Sequence, residues 1–264
     1  MSDKAEKPVE RADASGGVGA VKKALMVLGC FSGAEPLLSI TELARRVGLH
    51  KSSVSRIVAT LEEAQFVERD PASGLVRLGG GLVALAAPIM ENFGLSELVR
   101  NGLQELAATT QETCSFNIWD GEAAVSIEHV RGPHAVSHYA PLGLTKPAWC
   151  TATGKVLLAF LPDKVMVRIM ATPLIKYTDV TLTDVAAIQA ELETVRAQNF
   201  AVNRGEFYPD VGAVASVVRG KGGRIIGAVG ITVPMYRFTE EKILSLREPV
   251  TAMAELLSKQ LSAM

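Results

Sequence analysis

The sequence predicts an α+β protein of two domains, a small helical one ending in a hairpin and a larger one of mixed strands and helices. Three observations carry this expectation. A length of 264 residues is long for one compact core. Two short helical patterns separated only by Gly48-Leu49, then a hairpin pattern, fill the N-terminal part. Past the triplet Gly79-Gly80-Gly81, strand and helix patterns interleave without the regular βα alternation of a doubly wound sheet.

Composition excludes several classes. With 48% hydrophobic and 21% charged residues the chain is neither disordered nor fibrous, and no stretch approaches the roughly 20 apolar residues of a membrane span. The start, MSDKAEKPVERADASGG, lacks the apolar core of a signal peptide, so residues 1–16 read as a disordered leader of a cytoplasmic protein. Cys30, Cys114 and Cys150 are too few and too scattered for a disulfide framework or a metal-binding pair; they read as free buried thiols. The net charge of −1 is uneven: residues 17–80 carry eight basic and six acidic groups, residues 81–264 sixteen and eighteen. The small N-terminal domain is the basic one.

Taken in order, residues 18–31 form a first helix with Val21, Leu25 and Leu28 at helical spacing and Lys22 and Lys23 on the other side. Ser39-Ile40-Thr41-Glu42 fits a capping box, in which the serine oxygen accepts from the third amide and the glutamate reaches back. Behind it Ile40, Leu43, Ala44 and Val47 make one apolar face, and Gly48 ends the helix. The next helix, from His50 to about Glu63, buries Val54, Ile57, Val58 and Leu61. Its other face carries Ser52, Ser55, Arg56 and Ala59, with Lys51 near the start. Two such helices are a helix-turn-helix, whose second member has small side chains for groove access and an arginine for a phosphate or guanine edge. Residues 66–69 and 75–78, joined by the turn Asp70-Pro71-Ala72-Ser73-Gly74, form the wing. The DNA-facing candidates are Lys51, Ser52, Ser53, Ser55 and Arg56, with Lys22, Lys23, Arg69 and Arg77 at the periphery.

After the glycine triplet, LVALAAPIM reads as a linker helix over about residues 81–92. A helix from Ser96 to about Gln111 precedes strand-like CSFNIWD, AVSIEHV and AVSHYA. Helices follow near 152–161, 163–171 and 183–199, then strands FAVN, AVASVVR and RIIGAVGITVP, and a last helix from about Thr239.

The run LSITELARRVGLHKSSVSRIVATLEEAQFVERDPASGLVRLG, with PAWCTATGKVLLAFLP and the stretch from NFAVNRGEFYPDVGAVASVV to ITVP, resembles the IclR family of transcriptional regulators over nearly the whole chain past residue 17. The resemblance implies a winged helix-turn-helix at residues 17–80 and a GAF-like effector-binding domain at 81–264. It implies a homodimer or homotetramer, a pseudo-palindromic operator of double-stranded DNA, and repression or activation under control of a small-molecule effector. Two positions depart from the family pattern. His50 stands where proline commonly opens the recognition helix, which should matter little because proline there only pre-sets a backbone angle; Trp149 stands where histidine is common.

In Thr151-Ala152-Thr153-Gly154-Lys155, a loop of hydroxyls and small residues opens an apolar helix, and free amides at such an end attract an anion. The effector is therefore expected to be a small organic acid, with Trp149, Phe207 and Tyr208 pointing to an aromatic one. Ordinary N-capping by Thr151 or Thr153 explains the same residues. Trp149, Cys150, Thr151, Ala152, Thr153, Gly154, Glu206, Ser216 and Thr232 are the effector-site candidates, although Glu206, beside Asp210, also suits a solvated turn and Ser216 and Thr232 suit ordinary strands. Lys155 lacks the GxxxxGK[ST] context of a phosphate loop. No cofactor motif and no metal site is expected, because His129, His134 and His138 need not converge from alternating strands. The rival reading is a small-molecule hydrolase with Cys150 as nucleophile, one of these histidines as base and the N-terminal domain as an accessory.

Overall fold

The computed structural model describes residues 19–33, 35–92, 95–138 and 142–263, so the leader expected over residues 1–16 lies outside the described residues. The chain divides into two units, Met1–Ile89 and Met90–Met264, and the division falls within the helix that starts at the glycine triplet.

The first unit contains α1 (Gly19–Leu28), α2 (Ile40–Val47), α3 (Lys51–Glu63), a hairpin of β1 (Val67–Arg69) and β2 (Val76–Leu78), and the start of α4 (Gly81–Asn92). Leu43, Ala44 and Val47 of α2 pack with Val54, Val58 and Leu61 of α3, so the helical stripes of the sequence are the ones that meet. Each large apolar side chain buried in this way contributes about 1.5–3 kcal/mol. The Ser39 oxygen accepts from the Glu42 amide at 3.1 Å, and Gly48 closes α2 with φ of 66°. The second half of the capping box does not form. The Glu42 carboxylate instead accepts from Arg45 and Arg46, at 2.6 and 2.7 Å, and these guanidinium groups hold it down to about 2.

Two further features differ from the sequence reading. In α1 the core-facing stripe is Ala24, Val27 and Leu28, while Val21 and Leu25 stand 56% and 63% exposed. The winged hairpin also gains a third edge, because Leu38 and Val76 exchange backbone hydrogen bonds of 2.9 and 2.8 Å. That bridge ties the chain before α2 to the wing.

The second unit runs through α5 (Leu95–Thr110), β3 (Thr113–Trp119), β4 (Ala124–Val130), β5 (Thr145–Lys146), α6 (Ala152–Phe160), α7 (Asp163–Met170), α8 (Val185–Gln198), β6 (Ala201–Arg204), β7 (Val211–Arg219), β8 (Ile225–Pro234) and α9 (Glu240–Ala263). Its antiparallel six-stranded sheet has the order β5-β4-β3-β8-β7-β6. On one face Phe116, Val214, Val218, Val229 and Ile231 meet Leu103 of α5 and Leu246, Val250 and Leu257 of α9. On the other, Ala215, Val217 and Ala228 meet Val156 and Leu157 of α6 and Ile188 and Leu192 of α8. A sheet buried on both faces explains why β7 and β8 read as continuous apolar runs. The strand expected at residues 135–140 does not appear in its described part, 135–138; residues 139 and 140 lie outside the described residues. Gly132-Pro133 interrupts the chain just before it, and the edge of β4 is taken by β5.

Candidate DNA-facing helix and effector cavity

In the first unit, burial of Val54, Val58 and Leu61 fixes which side of α3 faces solvent. Lys51, Ser52, Ser53, Ser55 and Arg56 are all exposed on that side. His50, the N-cap, has φ of −63°, the angle a proline would impose, and makes no side-chain capping bond. With no acid in the first turn, the amides of Lys51 and Ser52 at the start of α3 are free to receive a phosphate, while the Ser53 amide donates to the His50 carbonyl at 3.0 Å.

The peripheral candidates divide. Lys23 lines one open groove with Ser53 and Arg56, between α1 and α3, whereas the exposed Lys22 does not line it. Arg69 is paired with Glu62 at 3.1 Å and Arg77 with Glu68 at 2.9 Å, so the wing presents compensated charge. The positive surface is therefore concentrated on α3 and the adjacent part of α1.

In the second unit, α6 comes down on the sheet at its N-terminal end. Gly154 permits this, since a Cβ there would lie 2.6 Å from the Ala148 Cα; so does Gly230, where a Cβ would meet the Thr153 methyl at 2.7 Å. The Thr151 hydroxyl donates to the Pro147 carbonyl at 2.7 Å and accepts from the Gly154 amide at 3.2 Å. It is the N-cap, as the plainer reading of this motif has it. The amides of Ala152 and Thr153 remain in the first turn, without intrahelical partners.

These residues border a cavity of about 40 Å³. Its floor is the sheet, through Ser115, Ala213, Gly230 and Thr232, and its far wall is Asn203, Phe207 and Tyr208. Lys146 and His138 complete it. The turn that carries Phe207 and Tyr208 is tied down from outside: Thr181 donates to the Glu206 carbonyl at 2.6 Å, Thr178 donates to that of Gly205 at 2.8 Å, and the Glu206 amide donates to Asn203 Oδ1 at 2.8 Å.

Of the sequence candidates, Thr151, Ala152, Thr153 and Thr232 line this cavity, while Trp149, Cys150, Gly154, Glu206 and Ser216 do not. Ser216 shares the α9-facing side of β7 with Val214 and Val218, and its hydroxyl donates to the Asn199 carbonyl at 2.9 Å. Strand parity turns it away. Glu206 points behind the wall, where its Oε1 lies 2.6 Å from Lys155 Nζ; that ammonium also meets Glu191 at 2.7 Å and donates to the Val202 carbonyl at 3.2 Å. Burial pushes the Glu206 carboxyl up against the pull of Lys155. Trp149 is half-buried against the core that α6 covers, and among the described residues a ring series links it to the wall, Trp149 to Tyr177 at 6.2 Å, Tyr177 to Phe207 at 4.8 Å and Phe207 to Tyr208 at 4.4 Å. Cys150 is fully buried, and desolvation, with the Glu206 charge, pushes its thiol up to about 12.

Ser115, Asn203 and above all Lys146 were not among the sequence candidates, and His138 was weighed only as a base or metal ligand. Lys146 sits on the two-residue edge strand β5, which carries no periodicity to read. Its ammonium donates to Asn117 Oδ1 at a long 3.4 Å, and burial lowers it to about 8. His138 is also lowered, by burial first and by the Lys146 charge second. Among the described residues no group of histidine, cysteine and carboxylate side chains has the arrangement of a metal site, and no helix is long and apolar enough to cross a membrane.

Comparison with known proteins agrees with both halves. The family models described as the IclR helix-turn-helix domain and the bacterial transcriptional regulator IclR C-terminal match residues 20–71 and 87–259. The HTH-type transcriptional regulator Rv1719 of Mycobacterium tuberculosis is 33% identical over 224 residues, 85% of each chain. A crystal structure of a putative IclR transcriptional regulator from Silicibacter sp. TM1040 superposes with a TM-score of 0.85 at 28% identity, covering 92% of this chain and 96% of that one. An IclR homolog from Microbacterium hydrocarbonoxydans, solved in complex with 4-hydroxybenzoate, shares the fold with a TM-score of 0.76 at 21% identity, covering 92% of this chain and all of the other. An α+β chain with an exposed recognition-type helix in one unit and a small cavity in the other, matched along both, belongs to the IclR family of transcriptional regulators.

Proposed function

We propose that this regulator binds its operator through α3 as a homodimer or homotetramer, and that a small organic acid in the cavity at the start of α6 controls that binding. Residues 17–80 are the DNA-binding domain and residues 81–264 the effector domain in this reading, and the regulated genes form a catabolic operon. The observation that carries it is the convergence on one cavity of the free amides of Ala152 and Thr153, the Thr153 hydroxyl and the Lys146 ammonium. All are donors, and a carboxylate accepts from all of them. Phe207 and Tyr208 supply apolar surface for the rest of a compact acid. The 4-hydroxybenzoate held by the Microbacterium protein is an acid of this kind.

The hydrolase reading is weaker because Cys150 keeps its proton at neutral pH and lies off the cavity wall. A nucleophile needs the thiolate.

The test is fluorescence anisotropy with duplex DNA from upstream of the gene. Between about 50 and 200 mM salt, affinity should fall by orders of magnitude as phosphate contacts release counterions. An acid effector should shift the isotherm while its methyl ester does not, and light scattering at the same protein concentration should show a dimer or tetramer. Binding indifferent to salt and to every acid tried, or carried by a monomer, would overturn the proposal.

A further inference from the structure

We propose that Lys146 is the counter-ion of the effector, so that this regulator takes a small monoanion and senses it together with a proton. The inference rests on the acid-effector reading above and adds to it the cation that selects the charge.

The geometry is that of a cation without an anion. Lys146 lines the same cavity as the first turn of α6. It is held in place by β5, where it pairs with Ala124 of β4. Its ammonium reaches one side-chain acceptor, the neutral Asn117 Oδ1, whose amide nitrogen is already spent on the Ser115 hydroxyl at 3.0 Å. Among the described residues no carboxylate stands within ion-pairing distance of it. Glu206, next in the chain to Phe207 of the far wall, is turned away into its buried pair with Lys155.

The other titratable groups around Lys146 do not neutralise it. His138 lines the cavity and His129 lies on the neighbouring β4, and each is itself held toward its neutral form, by burial first and by the Lys146 charge among the lesser causes. Tyr208 also lines the cavity, and Asp210 is exposed and acts on His138. A partly buried ammonium paired only to a neutral amide oxygen is costly, and an anion that enters the cavity offsets that cost. A neutral ligand leaves it in place.

Linkage fixes the direction of the pH effect. With the free ammonium near 8, about nine-tenths of the sites are charged at pH 7 and about one-tenth at pH 9. A bound anion favours the charged form, so binding takes up a proton at alkaline pH, and affinity falls about tenfold between pH 7 and pH 9. His138 and His129 are both shifted down, away from this window, by burial first, so their titration does not account for a fall between pH 7 and pH 9.

Calorimetric titration of the full chain with pyruvate and with benzoate, each beside its methyl ester, at pH 7 and pH 9 tests the proposal. The wild type should bind acid about tenfold more weakly at pH 9. Lys146→Met should lose at least tenfold for acid at pH 7, with no pH dependence left and the ester unchanged. Lys146→Arg, charged at both pH values, should keep acid binding at pH 9; a residue that only filled space would not give this rescue. Acid that binds equally at pH 7 and pH 9, or binds Lys146→Met as well as wild type, overturns the role of Lys146 and leaves the acid-effector reading standing. If neither acid binds or alters DNA affinity, the acid-effector reading falls first and this one with it.

Discussion

Replacement of Lys155 by methionine should destabilise the second unit by about 3–5 kcal/mol at pH 8, although the new side chain is apolar and of similar length. Lys155 is 1% exposed, and its ammonium is held by Glu206 at 2.6 Å and Glu191 at 2.7 Å. Removing one member of a buried ion pair strands the other, and the stranded charge, rather than the lost attraction, sets the magnitude. Glu206 is the one stranded: its side chain is 10% exposed against 30% for Glu191, and its Oε2 already has no partner.

The loss should depend on pH. In the native protein the Glu206 carboxyl already sits above its ordinary range through burial. Without the lysine it rises further, so the folded state binds more protons than the unfolded one over a wider window above the unfolded value. Stability then falls as pH rises through that window. Lys155→Met should cost less near pH 5 than at pH 8, and adding Glu206→Gln should recover most of the loss. Urea denaturation followed by tryptophan fluorescence reports on this unit alone, because the two tryptophans are Trp119 and Trp149. At about 2–3 kcal/mol per M the midpoint should drop by about 1–2.5 M. A methionine variant as stable as wild type at pH 8, or a loss unrelieved by Glu206→Gln, would refute the reasoning.

Other outcomes follow from the same geometry. Arg56→Ala should cost about 1–3 kcal/mol of operator binding if the guanidinium reads a base edge, measured by anisotropy on a variant with unchanged circular dichroism. Thr153→Val keeps the methyl group that packs on Gly230 and loses the hydroxyl, so acid affinity should fall by about 0.5–1.5 kcal/mol; Thr153→Pro, which removes the amide, should cost more in the same titration. Cys150, buried and raised to about 12, should resist iodoacetamide at pH 8 in the native protein and react once it is unfolded, as followed by mass spectrometry.

What was legible in the sequence followed from local physics. The helices α2 and α3 could be read because Leu43, Ala44 and Val47 repeat at helical spacing between Ser39 and the left-handed Gly48, and Val54, Val58 and Leu61 repeat at the same spacing beyond it. Thr151 could be read because an N-cap is a matter of four consecutive residues. Long-range pairing was not legible. The Leu38–Val76 bridge joins segments on either side of both helices, and the ten residues of α1 offer two apolar stripes, one through Val21 and Leu25 and one through Ala24, Val27 and Leu28. Ser216 was misplaced for a related reason: β7 is buried on both faces, so its pattern does not reveal which parity faces α6. Only the register with β8, Ala213 opposite Thr232 and Ser216 opposite Val229, assigns the sides.

The misplacement of Trp149 and Glu206 points to how the cavity acquires its size. Neither touches the cavity, yet each braces the wall that does: Glu206 anchors the turn to α6 through Lys155, and Trp149 buttresses Phe207 through Tyr177. The opposite wall is set by how closely α6 approaches the sheet, which Gly154 and Gly230 determine. Residues behind the walls therefore set the distance between Thr153 and Phe207, whereas in the proposed reading Lys146 and the α6 amides set the charge that is accepted. If the acid-effector reading holds, shape and charge selectivity rest on different residues, and Trp149→Ala should change which acid fits while leaving the preference for acid over ester in place in the calorimetric titration.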